Sequence, residues 1–192
     1  MIIVLTGADE LALRRRLREL REEADGGTGM IETNANMVDG RDAKPADILG
    51  PATAMPFLSP KRIVIVENLL ERFESRPGER RTTRTPDAFA PLFAGLESGL
   101  PETTILVFTG AASARNPMVT RLKQIPGVVL EDYPELKGDA LQRFIREEAG
   151  TRGMRLDGPS ITALATMHGG DTLALANELD KLSLYTMGRA VT

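Results

Sequence analysis

Short runs of consecutive apolar residues recur along the first two thirds of the chain, and each run is followed by turn residues. Uninterrupted apolar runs of this length predict strands buried on both faces, as in a parallel sheet covered by helices. The runs are residues 2–5, 63–66, 104–108 and 128–130. Residues 30–33 predict one further strand, and residues 34–41 predict a loop.

Segments with helical spacing of apolar residues lie between these runs. The first follows Asp9, which can cap its first turn, and three more are predicted over residues 46–54, 88–96 and 116–124. After Pro134 the strand pattern stops, and three helices are predicted, separated by glycines. These are residues 136–150, 160–168 and 172–186. The pattern therefore predicts an α/β domain over residues 1–134 and a small three-helix domain over residues 135–192.

Composition excludes several classes of site. The chain of 192 residues has no Cys and a single His, His168, which excludes disulfides, thiolate metal sites, Cys nucleophiles and His-rich metal sites. We therefore expect no metal and no catalytic residue. The net charge is −3, without the basic excess expected of a protein that grips duplex DNA. No apolar run is long enough to span a membrane, and the first run is interpreted as a core strand, not a signal peptide.

The first strand and helix stand where a nucleotide-hydrolysing protein would carry its phosphate-binding P-loop. That motif needs two glycines separated by four other residues and followed by Lys and a hydroxyl residue, so that backbone N–H groups and the Lys hold the phosphates. Here Gly7 occupies the first glycine position. Ala12, Leu13 and Arg14 occupy the second glycine, the Lys and the hydroxyl positions. The motif is degenerate, and we expect no nucleotide cofactor.

The metal-binding partner of a P-loop is incomplete as well. An apolar strand followed by Asp-Glu would be expected, but the strand over residues 63–66 leads into Glu67 and Asn68. A carboxylate at Glu67 is compatible with a metal ligand, whereas the amide of Asn68 cannot act as a general base. The architecture is that of a nucleotide hydrolase without its catalytic parts.

Two further segments resemble one known family. The first is Thr-Ala-Met-Pro-Phe-Leu-Ser-Pro-Lys-Arg over residues 53–62, directly before the strand 63–66. The second is Asn-Glu-Leu-Asp-Lys-Leu over residues 177–182, within the helical region. Together with the start that lacks a P-loop, these segments resemble the delta subunit of bacterial DNA polymerase III, and the resemblance extends along the whole chain.

The resemblance implies an AAA+-type sheet that binds no ATP, followed by a helical lid. It also implies a third, collar domain beyond residue 192, so that the chain would be a truncated form. Implied partners are the sliding clamp (beta subunit) and the gamma/tau and delta-prime clamp-loader subunits. DNA would be reached through the complex, and no membrane is involved. The implied location is the cytoplasm, at the replisome.

Family members bind the clamp through two adjacent bulky apolar residues on an exposed turn before a core strand. By position these are Phe57 and Leu58, with Met55 and Pro56 leading into them. Some members carry Leu and then Phe, whereas this chain carries Phe and then Leu. From the residues alone, the alternative is that both side chains fold back onto the strand over residues 63–66 as part of the core.

Three other functions stay open. The chain can be a structural clamp-loader subunit without clamp affinity. It can be an active nucleotide-binding enzyme with an unusual site, which the degenerate P-loop disfavours. It can also be a nucleic-acid-binding module of AAA+-like fold, which its net charge disfavours. That module would act through a basic loop formed by Arg76, Arg80, Arg81 and Arg84.

Overall fold

In a computed structural model, the fold contains a five-stranded parallel sheet and eight α-helices within the part described, which is residues 1–74, 86–113 and 115–186. The strands are β1 Ile2–Gly7, β2 Ala35–Asp39, β3 Arg62–Glu67, β4 Thr104–Gly110 and β5 Val128–Tyr133. The helices are α1 Glu10–Asp25, α2 Ile31–Asn34, α3 Pro45–Thr53, α4 Ala90–Glu97, α5 Pro117–Leu122, α6 Gly138–Thr151, α7 Gly158–His168 and α8 Thr172–Thr186. Two 3-10 helices, Glu71–Phe73 and Pro86–Phe89, lie between β3 and α4.

The sheet has the order β2-β3-β4-β1-β5, and every neighbouring pair is parallel. Its central strands are buried on both faces, which explains why they are apolar at successive positions. Ile3, Ile63 and Val107 pack on one face with Leu20 of α1. The other face packs against α3, α4 and α5. The predicted α/β sheet flanked by helices is confirmed.

The chain divides into two compact units. The first comprises Met1–Gly7 and Leu13–Tyr133 and holds the sheet. The second comprises Ala8–Ala12 and Pro134–Thr192, and its own apolar core is formed by α6, α7 and α8. Ile145, Leu175 and Leu179 are fully buried in that core. The helix-rich region predicted after Pro134 is therefore confirmed.

One strand was predicted at the wrong place. Residues 30–33, predicted as a strand, fall largely within the short helix α2, and the strand β2 occupies residues 35–39 of the predicted loop. The sequence Ala-Asn-Met-Val-Asp has weak β preference and no clear alternation. It forms a strand because it pairs with β3, where Met37 lies opposite Ile65. An edge strand determined by its neighbour leaves little local signal.

Candidate functional site

The segment between α3 and β3 exposes three large apolar side chains. Met55 is 79% exposed, Phe57 is 58% exposed and Leu58 is 71% exposed, while Pro56 is half-buried. Pro56 disfavours the helical conformation for the residue before it, so α3 cannot continue into this segment. We call residues 55–59 the apolar loop. Its side chains do not fold back into the core, contrary to the alternative drawn from the residues alone.

The backbone of the apolar loop is fixed by a buried amide side chain from α2. Asn34 is 1% exposed, and its Oδ1 accepts a hydrogen bond from the backbone N–H of Phe57 at 2.6 Å. Its Nδ2 donates to the carbonyl of Phe57 at 2.8 Å and to the carbonyl of Met30 at 3.0 Å. The amide thus pairs with both polar backbone groups of Phe57, as a neighbouring strand would.

Two further side chains hold the backbone on either side of Phe57. The guanidinium of Arg62 donates to the carbonyl of Met55 at 3.2 Å, and it also bonds the side chain of Asn36. The hydroxyl of Ser59 donates to the carbonyl of Ala24, at the end of α1, at 3.1 Å. The loop is therefore held on both sides of Phe57, through the carbonyl of Met55 and through the hydroxyl of Ser59.

Leu58 has a backbone conformation that side chains other than glycine rarely adopt. Its φ angle is +50°, in the left-handed region. For a residue with a Cβ this conformation costs on the order of 1–2 kcal/mol. Such a conformation persists only where the surrounding structure determines it. The hydrogen bonds made by Phe57 and Ser59, the residues before and after Leu58, fix this conformation. The Leu58 side chain is consequently directed away from the core.

The chemistry of the apolar loop suits a hydrophobic partner. Exposed apolar side chains in a contiguous cluster, bordered by polar residues, mark surfaces that bind other proteins. On this side of β3 the polar border includes an ion pair between Lys61 and Glu23, with a nitrogen-to-oxygen distance of 2.7 Å. Because the backbone is already fixed, little conformational freedom is lost when the apolar side chains enter a pocket.

The degenerate P-loop is too short to surround a phosphate. Gly7 ends β1 and Glu10 begins α1, so only two residues separate strand from helix. In the motif, the residues between the glycines arch around the phosphate and present their N–H groups. Here Ala12 and Leu13 already lie within the helix. Leu13 packs against the apolar cluster beneath the sheet, and Arg14 is exposed on the helix surface.

A carboxylate of the protein takes the hydrogen bonds at the start of α1. Asp9 is 7% exposed, and its Oδ1 accepts from the backbone N–H of Ala12 at 3.0 Å. The same oxygen accepts from the hydroxyl of Thr172 at 2.6 Å, and all three residues belong to the second unit. A helix N-terminus favours one anion, and here Asp9 supplies it. The residues at this place do not fit a nucleoside triphosphate.

The end of β3 holds no set of metal ligands. Asn68 follows the strand with a φ angle of +60°, and its Nδ2 donates to Asp39 at 3.2 Å. Hydrogen bonds from Arg41, at an ion-pair distance of 2.6 Å, hold the pKa of the Asp39 carboxyl well below its usual range. Glu67 is half-buried at the strand end. Across residues 1–74, 86–113 and 115–186, no group of three or more acidic, His or Cys residues can hold a metal.

The loop after β4, where a motor protein would detect the γ-phosphate, is closed by carboxylates of the first unit. Glu71 accepts from the backbone N–H of Ala111 at 2.7 Å. Glu74 accepts from the N–H and the hydroxyl of Ser113 at 3.2 and 3.0 Å. Buried Asn116 also donates to Glu74, at 2.8 Å. The backbone N–H groups of Ala111 and Ser113 and the Ser113 hydroxyl are therefore bonded to carboxylates of the protein itself.

Sequence reasoning identified the exposed side chains of the apolar loop but missed the residues that hold it. Asn34 fell within a predicted loop, and its partner Phe57 lies 23 positions later in the chain. Arg62 ends the segment over residues 53–62, and it is only 8% exposed. No local pattern marks either role, because both depend on contacts that form only in the folded sheet.

Two sequence predictions remain outside these observations. The basic loop with Arg76, Arg80, Arg81 and Arg84 lies outside the described residues. The same is true of residues 187–192, which precede the expected collar domain. As for membranes, none of the described helices combines the length and the apolar character needed to cross a bilayer.

The sequence of the chain matches a protein-family model. The model described as DNA polymerase III, delta subunit, matches residues 4–131, which include the degenerate P-loop, the apolar loop and all five strands of the sheet apart from the ends of β1 and β5. The chain belongs to the DNA polymerase III delta subunit family. The resemblance stated from the sequence is thereby confirmed, and the family is a component of the clamp loader. No curated protein matches the chain.

Solved structures agree on the fold. The Bacillus subtilis DNA clamp loader delta protein matches with a TM-score of 0.63 and 17% identity, over 100% of this chain and 55% of that chain. A gamma subunit-related protein of DNA polymerase III from Thermotoga maritima matches with a TM-score of 0.54 and 16% identity, over 97% of this chain and 56% of that one. The Thermotoga maritima RuvB Holliday junction branch migration motor matches with a TM-score of 0.53 and 12% identity, over 96% and 55%.

These structures show the fold of the delta-family chain and nothing finer at such identities. The chain spans a little over half the length of each of the three solved proteins, with coverage of 55%, 56% and 55%. Activities and partners of a whole clamp-loader subunit therefore remain proposals for this chain.

Proposed function

We propose that this chain binds the sliding clamp of its DNA polymerase III through the apolar loop, with Phe57 and Leu58 as the anchors and Met55 and Pro56 beside them. The observation that carries the proposal is the exposure of three large apolar side chains on a backbone that the protein fixes from both sides. A soluble domain rarely fixes an apolar cluster in water without a partner for it.

The two anchors supply enough free energy for a specific contact. Transfer of a Leu or Phe side chain from water into an apolar pocket contributes about 1.5–3 kcal/mol. Together the two side chains contribute about 3–6 kcal/mol, a range typical of the few residues that dominate a protein interface. The rest of the contact surface would then determine orientation more than affinity.

Binding through the apolar loop would favour the open form of the clamp. A ligand shifts a conformational equilibrium only by its difference in affinity for the two forms. The chain would therefore hold a clamp conformation in which one subunit interface cannot close. In this mechanism the chain itself catalyses no reaction and binds no nucleotide. The gamma/tau and delta-prime subunits would be its partners, and DNA would be reached through the complex.

The test is calorimetric titration of the cognate sliding clamp with this chain and with a Phe57→Ala/Leu58→Ala variant. Loss of both anchors is expected to weaken binding by about 3–6 kcal/mol. Leu184→Ala/Tyr185→Ala is the matched control, because these residues of α8 are 78% and 87% exposed and are apolar or aromatic as well. The control variant is expected to bind the clamp like the unchanged chain.

Two results would change the proposal in different ways. Equal weakening by both double variants would mean that any exposed apolar pair contributes, and the apolar loop would lose its assignment. Absence of binding by the unchanged chain would support the alternative of a structural clamp-loader subunit without clamp affinity.

A further inference from the structure

The backbone of the apolar loop is held in place by side chains. Within the part of the chain that the structure describes, Phe57, Leu58 and Ser59 take part in no bond between two backbone groups. A loop of this composition would therefore sample many conformations if nothing else restrained it. The restraint on Phe57 comes from one side chain, that of Asn34.

Asn34 is fully satisfied only in the observed arrangement. Its amide has one strong acceptor and two N–H donors, and these meet the N–H of Phe57, the carbonyl of Phe57 and the carbonyl of Met30. With 1% of its surface exposed, Asn34 has no access to water as a replacement partner. Any movement of Phe57 away from the amide would leave buried polar groups without partners, which is strongly disfavoured.

We infer that Asn34 is a positioning residue for clamp binding, which holds the backbone of Phe57 so that the side chains of Phe57 and Leu58 stand exposed before the clamp arrives. The inference rests on the proposed function, since it assigns Asn34 a role in that same contact. Fixing a loop in its bound conformation improves affinity because less freedom is lost on binding. Asn34 itself remains buried and does not touch the partner.

The experiment compares clamp binding by the unchanged chain with binding by Asn34→Ala. The variant is expected to bind the clamp about tenfold more weakly, the size of coupling typical of residues in direct contact. Asn34→Gln keeps the acceptor and both donors on a side chain that is one methylene longer, so an intermediate loss is expected. It also provides a second variant to measure if the alanine variant folds poorly.

Asn116→Ala is the matched control for stability. Asn116 is also 1% exposed, and its side chain likewise bonds backbone groups on both sides, the carbonyl of Leu70 and the N–H of Met118. It lies in the loop before α5, away from residues 55–59 in sequence. Its loss is expected to lower the melting temperature as Asn34→Ala does, while clamp affinity stays unchanged.

Two readouts separate positioning from a general structural role. Amide hydrogen exchange at Phe57 is expected to accelerate in Asn34→Ala and to stay slow in Asn116→Ala. In the Phe57→Ala/Leu58→Ala background, adding Asn34→Ala is expected to change clamp binding no further, because there are no anchor side chains left to position.

The outcomes distinguish the inference from the function on which it rests. If the double anchor variant loses binding but Asn34→Ala binds like the unchanged chain, the positioning role is wrong and the clamp site stands. If Asn116→Ala weakens binding as much as Asn34→Ala, the effect is one of stability and the positioning role is again wrong. If the anchor variant binds normally, the clamp site and the role of Asn34 are both wrong.

Discussion

The apolar loop and the junction between β1 and α1, residues 7–12, satisfy their polar groups in opposite ways. In the apolar loop the fixed groups belong to the backbone, and the side chains of Phe57 and Leu58 remain exposed. At the junction the fixed group is the carboxylate of Asp9, which is buried and bonded to Ala12 and Thr172. What a region can bind therefore depends on which groups folding leaves without a partner.

This difference explains how one fold can be suited to bind a protein at one place and unsuited to bind a nucleotide at another. A phosphate-binding loop needs free N–H groups, and the junction offers few because the helix starts early and Asp9 caps it. A protein-binding loop needs free apolar surface on a rigid backbone, and residues 55–59 provide both. The two places can be tested separately by substitution.

The largest effect on stability is expected at Gly7. An ideal Cβ at this residue would lie 1.9 Å from the carbonyl oxygen of Tyr133, and the φ angle is +120°. Overpacking costs about 1–3 kcal/mol and a positive φ costs about 1–2 kcal/mol, so Gly7→Ala is expected to lower the free energy of unfolding by about 3 kcal/mol. Urea denaturation measures this change.

Gly127→Ala is the control for that substitution. Gly127 has a φ angle of +78°, but a Cβ there would meet no atom within 4 Å. It is expected to cost only the conformational part, about 1–2 kcal/mol. Equal losses for the two variants would show that close packing against β5 does not fix the junction.

An intermediate effect is expected at Asp9. Asp9→Ala removes a helix cap and leaves the hydroxyl of Thr172, which is 1% exposed, without its partner. The expected loss in the free energy of unfolding is about 1–2 kcal/mol. Asn caps helices as well as Asp does, so Asp9→Asn should retain most of the stability.

By contrast, Phe57→Ala/Leu58→Ala should change the free energy of unfolding by no more than about 0.5 kcal/mol, because both side chains are exposed.

Asp9→Ala also tests whether the junction between β1 and α1 can bind a nucleotide. With Asp9 removed, Leu13 and Arg14 still occupy the positions of the Lys and the hydroxyl residue. Magnesium ATP is therefore expected to leave the melting temperature of Asp9→Ala unchanged. A rise in melting temperature with ATP would mean that the carboxylate merely blocks a competent site, and the contrast between the two regions would fail.

A smaller effect than at Asp9 is expected for an ion pair between α1 and β5 in the first unit. Arg16 donates two hydrogen bonds to Glu131, at 2.8 and 2.9 Å, and the hydroxyl of Tyr133 donates a third, at 2.7 Å. The hydrogen bond from Arg16 is the main reason why the pKa of Glu131 lies below its ordinary value of 4.5. Arg16→Gln is expected to lower the free energy of unfolding at neutral pH by about 0.5–1 kcal/mol.

The sign of the pH dependence follows from the lowered pKa. Stabilisation by this pair is present above pH 4.5 and is lost as the pH falls through the pKa of folded Glu131. The difference between the unchanged chain and Arg16→Gln should therefore shrink on acidification, as measured by urea denaturation from pH 7 downwards. A constant difference across that range would rule out an electrostatic origin.

The parallel sheet was predictable because its central strands are apolar at successive positions. Residues 63–66 and 104–108 belong to strands with helices on both faces, and such burial leaves a direct mark on composition. The edge strand β2 was not predictable. Its burial pattern is mixed, and its conformation follows from pairing with β3, which no local pattern reveals.

The candidate site was predictable in its side chains and not in its support. Phe57 and Leu58 stand between prolines before a core strand, and the resemblance to the delta family directed attention to them. The structure leaves both exposed, while their binding role stays a prediction. The role of Asn34 was not predictable, because the sequence does not distinguish an amide that is buried in the folded protein from an exposed polar residue of a loop.

The position of β3 inside the sheet has a mechanical consequence. The apolar loop leads directly into this strand, and β3 is hydrogen-bonded to β2 on one side and to β4 on the other. A force that pulls on the loop along the strand direction must shear two hydrogen-bond ladders simultaneously. A force on a strand at the edge of the sheet has only one such ladder to break. The loop is thus attached to a strand that is hydrogen-bonded on both sides, and tension applied there would be spread across the sheet.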